Sequence, residues 1–231
     1  MKIAVVNFSG NVGKTTVATS LLRPRLPNPN TPYLAIETIN DGAKGEKKIE
    51  SDEYGALFEE MMLMDDIIVD VGSSNIEGTI KKMREFRGSH DEFDYFIVPT
   101  DTGDKQLIDT NSTLVELIKL GIKPAKIRLV FNKVNKMDKL DSDFADVIET
   151  AKPLKIRIPT VGIAQNEVYE RLRKSDKTIE DVLAMKDLRK LAKETTDMAK
   201  KKELVGLIAI QTLAINAKEN LDNVYKDLNL T

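Results

Sequence analysis

The sequence predicts an α/β fold: a mostly parallel twisted sheet flanked by helices, with a helical C-terminal extension. Two observations predict it. Short apolar runs, several rich in Ile and Val, recur with helix-length segments between them. That alternation produces βαβ units and a sheet covered on both faces. From about Lys186 the strand-like runs stop and only helical periodicity remains. A chain of 231 residues is long enough for one such domain, expected over 1–185, and a helical extension over 186–231 that packs on it or serves association.

The expected strands are Ile3–Asn7, Tyr33–Glu37, Ile67–Asp70, Tyr95–Pro99, Ile127–Asn132 and a short one at Thr160–Ile163. The expected helices are Thr15–Leu22, Gly55–Met64, Ile76–Arg87, Lys105–Leu120, Ser142–Thr150 and Glu167–Arg173. Leu107, Leu114, Leu117 and Ile118 follow the helical period, and Gly121 supplies a C-terminal stop. The stretch Arg23–Pro32 holds four of the eight prolines, so it is expected as a stiff loop, neither helix nor central strand. In the extension, Leu188, Leu191, Ala192, Thr195 and Met198 mark one amphipathic face, and a second helical run spans Glu203 to about Leu228. Leu204–Ile215 is apolar and poor in Lys and Arg, which suits core packing or a dimer interface better than a basic membrane-surface helix.

Composition narrows the chemistry. The chain has no cysteine and a single histidine, His90, in a polar stretch. Disulfides and thiolate metal sites are excluded, and a Ser-His-Asp or Cys-His mechanism has almost nothing to draw on. No apolar run reaches the length of a membrane span and no secretory signal is visible, so a cytoplasmic protein without a membrane partner is expected. The formal net charge of −2 gives no whole-chain sign of a nucleic-acid binder. The local run Lys186, Arg189, Lys190, Lys193, Lys200, Lys201 and Lys202 is open to two readings, a solvated helix face or non-specific DNA contact through phosphates.

The N-terminus carries the strongest chemical signal. The apolar run Ile3–Val6 leads into Gly10-Asn-Val-Gly-Lys-Thr-Thr16, and a helix-compatible segment follows. Strand, glycine loop, Lys-Thr and helix form the phosphate-cradling arrangement of a P-loop. Loop N–H groups and the helix N-terminus face the phosphates. Gly10, Asn11, Val12, Gly13, Lys14, Thr15 and Thr16 are the candidate nucleotide-binding residues, with Lys14 for the β/γ-phosphates and Thr15 for Mg²⁺. A second apolar run ends in Asp70, followed by Val-Gly-Ser-Ser74. A carboxylate at the end of a parallel strand sits where α/β folds place ligands, and beside a P-loop it holds the Mg²⁺ shell. The competing reading of Asp70 is a helix N-cap.

With these motifs in place, the chain resembles the ParA/MinD-type P-loop ATPases, proteins of DNA partitioning and cell-division positioning. The likeness rests on Gly10, Val12–Thr16, Asp70-Val-Gly-Ser73, Phe96–Pro99, Leu129–Asn132 and the Pro159–Ile163 segment, and it covers about residues 1–185. Among these proteins it is most similar to the plasmid-stability StbB type. The resemblance implies ATP and Mg²⁺, an ATPase whose turnover the departures described below are expected to slow, a nucleotide-dependent homodimer, an adaptor or centromere-binding partner and non-specific DNA. It assigns Asn132 to adenine, which an amide suits as donor and acceptor; a turn-forming Asn is the other reading. Asn132-Lys-Val-Asn135 lacks the guanine-pairing Asp of an N-K-x-D motif, which favours ATP over GTP.

Two departures matter. The family's signature lysine, which reaches across a nucleotide-sandwich dimer, is Ser9 here. The family's paired aspartates after the second strand become Glu37-Thr-Ile-Asn-Asp41, with Ile39 where the attacking water is oriented. Glu37 and Asp41 are the catalytic candidates that remain there, beside Lys14 and Asp70. Asp101 and Asp104 follow a strand on the ligand edge; they are read as surface or dimer contacts, or, for one of them, as the cap of the next helix rather than a catalytic group. Two rival functions stay open: a nucleotide-dependent binding module with little hydrolysis, and a P-loop kinase or dethiobiotin-synthetase-like ligase, for which no acceptor base is identifiable.

Overall fold

The computed structural model describes residues 1–28, 30–36, 47–49, 54–173, 175 and 177–230, with the backbone alone at 47–49. Six strands form one sheet: β1 (Lys2–Val5), β2 (Tyr33–Ile36), β3 (Lys47–Ile49), β4 (Ile67–Val71), β5 (Tyr95–Thr100) and β6 (Ile127–Phe131). Every pairing is parallel and the order is β3-β2-β4-β1-β5-β6. The chain moves one way from β1 to β2 and the other way from β4 to β5. The carboxyl end of β1 is therefore at the switch in strand order, where open α/β sheets form their ligand crevice.

Strand alternation builds the two cores. Ala4 and Val6 face a layer with Val69, Val71, Phe96, Val98 and Leu129, covered by α2 (Tyr54–Met62), α3 (Ile76–Glu85), α4 (Asp104–Lys119) and α6 (Ala145–Ala151), after the short α5 (Leu140–Asp143). Ile3 and Val5 face the opposite layer with Ile68, Ile97 and Val130. The helix that opens at α1 (Lys14–Thr16) and runs on as a wider π-helical segment through Val17–Leu22 covers that side. So do α7 (Glu167–Arg173), α8 (Ile179–Ala184) and the 31-residue α10 (Met198–Leu228), which follows α9 (Leu188–Glu194). The C-terminal extension thus supplies Ala214, Ala217, Leu221, Val224 and Leu228 to the core beneath β1, β5 and β6.

Several expectations need correction. Thr160–Ile163 forms no regular strand; Ile163 bonds Phe131 and Val134 through its backbone, and only single bridges form there. A Cβ at Gly162 would lie 2.8 Å from the Phe131 carbonyl, so the close approach needs glycine. β3 and α8 were not expected at all. Arg23–Arg25 in the proline-rich stretch makes a 3₁₀ turn, which tolerates Pro24 near its start. The face expected on one helix is divided by a break at 195–197, leaving Leu188 and Ala192 buried but Leu191 and Met198 exposed. Neither Asp101 nor Asp104 caps α4: Gly103 is the cap residue and Asp104 the first helical one.

Candidate nucleotide site

The loop between β1 and α1 is set by its two ends. Asn7, fully buried, donates to the Pro99 carbonyl and to Thr110 Oγ1, both at 2.8 Å, and accepts from Ser9 N–H at 2.7 Å. The start of the loop is thereby tied to β5 and α4. At the other end Gly13 has φ +87°, and Asn11 before it has φ 61°, both left-handed. Asparagine tolerates that region better than most residues. A Cβ on Gly13 would lie 2.1 Å from Asn132 Nδ2, so the position requires glycine both for its backbone and for its neighbour.

Asn132 explains that crowding. It is 5% exposed, donates to the Val12 carbonyl at 2.8 Å and accepts from Lys133 N–H at 2.9 Å. In this conformation its amide holds the loop rather than presenting an edge to a base. Lys133 continues the brace. Its ammonium donates to the Asn11 carbonyl at 2.6 Å and to Asp101 Oδ2 at 2.7 Å, while Asp101 Oδ1 accepts from Gly103 N–H.

Lys14 is nearly buried and donates to the Ser9 carbonyl at 2.7 Å and the Asn7 carbonyl at 3.2 Å. Ser9 is 1% exposed, and its hydroxyl has no hydrogen-bond partner among the described residues.

The carboxylate arrives from β4. Its alternation sends Val69 and Val71 to one core, and Ile68 with Asp70 to the side of the α1 helix. Asp70 is 3% exposed, and its Oδ2 accepts from Thr15 Oγ1 and from Tyr33 Oη, each at 2.8 Å. Gly10 borders the loop after β4, since a Cβ there would touch Ser73 Oγ at 3.5 Å. An exposed threonine hydroxyl beside a buried carboxylate offers the hard oxygen ligands that Mg²⁺ takes.

The structure therefore brings together Gly10–Thr16, Asp70 and Asn132. Glu37, Ile39 and Asp41 lie outside the described residues. Asn7, Tyr33 and Lys133 were missed as site-forming residues, and Asp101, read on the ligand edge, was missed as the partner of Lys133; the end-of-strand position of Asn7 was the signal available for it. Among the described residues no group of three or more His, Cys, Asp or Glu could hold a metal ion.

No protein-family model matches the chain, and no curated protein sequence matches it. Solved structures do. A chain of the MinC:MinD cell division complex of Aquifex aeolicus superposes with a TM-score of 0.55 at 12% identity, over 97% of this chain and 94% of that one. MinD of Aquifex aeolicus gives 0.49 at 12% identity, over 90% and 95%. Septum site-determining MinD with Mg-ADP from Pyrococcus horikoshii gives 0.47 at 12% identity, over 99% and 95%. The first of these shows the fold, a parallel sheet between helices with a closing C-terminal helix.

Proposed function

We propose that this protein is a ParA/MinD-like ATPase that binds ATP with Mg²⁺ and hydrolyses it slowly. The observation that carries the reading is the 2.8 Å contact between Thr15 Oγ1 and Asp70 Oδ2, at the mouth of a glycine-built loop that ends in Lys14. Gly10, Asn11, Val12, Gly13 and Thr16 form the cradle with them. Thr15 and Asp70 would hold the Mg²⁺, which neutralises developing charge on the phosphates. Lys14 would exchange its two carbonyl partners for phosphate oxygens. Asn132 and Lys133 keep the loop in shape.

Slow turnover follows from what is missing. Ser9 is buried within its own subunit and uncharged, so it offers no cation to a partner's phosphates. Ile39 cannot align a water, which leaves Glu37 or Asp41 for that role. In this reading the protein forms a nucleotide-dependent homodimer whose turnover an adaptor protein or DNA sets, and the process it serves is plasmid partition or StbB-type plasmid stability. No described helix is long and apolar enough to cross a membrane. The exposed Lys190, Lys193, Lys200 and Lys202 on α9 and the start of α10 are the candidate DNA contacts.

A phosphate-release assay with and without DNA tests the proposal. Turnover barely above background for the isolated protein, raised by Ile39→Asp, is expected. Release that Lys14→Ala leaves unchanged would contradict it.

A further inference from the structure

The outward side of α10 has a pattern that the nucleotide site does not explain. Ile210, Leu213, Ala214, Ala217 and Leu221 turn toward the core. On the opposite side lie Lys201, Val205, Ile208, Thr212, Ile215 and Glu219, spaced alternately by four and three residues. This is the seam spacing of a coiled coil. Val205 is 53% and Ile215 57% exposed, and no residue from Leu204 to Ala217 is charged. A solvent-facing helix surface ordinarily carries charge. Gly206 lies within this helix, where glycine costs about 1 kcal/mol relative to alanine. A Cβ there would meet nothing within 4 Å, so internal packing does not require the glycine.

The seam reads the same in reverse. About the level of Ile210, Lys201 mirrors Glu219, Val205 mirrors Ile215 and Ile208 mirrors Thr212. Neither Lys201 nor Glu219 has an ion-pair partner among the described residues. The Thr212 hydroxyl already donates to the Ile208 carbonyl at 2.9 Å, so it can be covered without stranding a donor.

We infer that α10 pairs with α10 of a second copy of this chain, antiparallel across a two-fold axis near Ile210. Each Lys201 then faces the partner's Glu219, and Val205 packs on the partner's Ile215 along a seam about 27 Å long. Such a contact is isologous, the commonest form of homodimer interface. Parallel pairing would set Lys201 against Lys201 and Glu219 against Glu219, so the charges select the antiparallel sense. An anionic lipid surface is a poorer occupant, because the stripe ends in Glu219 and has no cation between 204 and 217. One seam of this length is small for a stable dimer, so the association is weak and concentration-dependent. It needs no nucleotide and stands apart from the ATPase reading.

Sedimentation equilibrium of the nucleotide-free full chain tests the pairing. A monomer–dimer equilibrium is expected, weakened about tenfold or more by Lys201→Glu and restored in Lys201→Glu/Glu219→Lys. These positions are on the surface, and circular dichroism checks that each variant folds. The chain has no cysteine, so Val205→Cys and Ile215→Cys proteins can be mixed and oxidised. Cross-links between the two variants, and not within either one, are expected. A monomer at every concentration, a Val205→Cys cross-link to itself, or binding of the monomer to anionic vesicles would each overturn the inference.

Discussion

Asn132 donates its side-chain amide to the Val12 carbonyl at 2.8 Å, joining the end of β6 to the middle of the P-loop. A residue that holds the loop acts on every nucleotide alike, whereas one that reads the base separates adenine from guanine. Asn132→Ala removes a buried hydrogen bond, costing about 1–3 kcal/mol. Calorimetry with ATP and GTP should show both affinities falling by similar factors. Loss confined to ATP would assign the amide to the base instead.

Gly13→Ala forces a left-handed backbone on alanine, at roughly 1–2 kcal/mol, and drives its Cβ to 2.1 Å from Asn132 Nδ2. The expected outcome is displacement of Asn132 and loss of ATP binding in a protein that still folds, read by calorimetry and circular dichroism together.

Asp70→Ala should reduce Mg²⁺ dependence and turnover more than nucleotide affinity, because the carboxylate would help Thr15 hold the cation and would not itself bind the phosphates. It also leaves Tyr33 Oη without its 2.8 Å acceptor, so a drop in melting temperature is expected alongside. Unchanged turnover would remove the cation role from Asp70.

Arg25 fixes α10 to the end of the first helix. Its Nε donates to Asp222 Oδ1 at 2.8 Å and its Nη1 to the Ser20 and Leu21 carbonyls. Arg25→Ala should lower the melting temperature, because it removes the tie between α10 and the first helix, although Asp222 keeps its bond to Lys218. Burial raises the Asp222 pKa, but its bond to Lys218 and the nearby Arg25 outweigh burial and hold it below the ordinary value. A lowered folded pKa means the ion pair stabilises above the unfolded value, about 3.9, and is lost as pH falls through the folded one. Asp222→Asn should therefore melt slightly below the parent at neutral pH, and the gap should close in acid.

What the sequence made legible was local. β1, the glycine loop and α1 follow one another, so composition and spacing suffice to read Gly10–Thr16. Asp70 was legible because a carboxylate ends an apolar run. The braces were not, because their partners are far along the chain: Tyr33 is 37 residues from Asp70, Lys133 is 32 from Asp101 and Asn7 is 92 from Pro99. β3 is three residues long and begins Lys47-Lys48, with no apolar alternation to read. Lys200, Lys201 and Lys202 hid the first turn of α10, which the structure starts at Met198 behind the Asp197 cap.

In the proposed function Lys14 serves phosphates, although here it bonds the Asn7 and Ser9 carbonyls. Titrating ATP with Mg²⁺ into the parent and into Lys14→Ala by calorimetry tests it most directly. One saturable site in the parent and none detectable in the folded variant are expected. Equal affinity in the two proteins would contradict it.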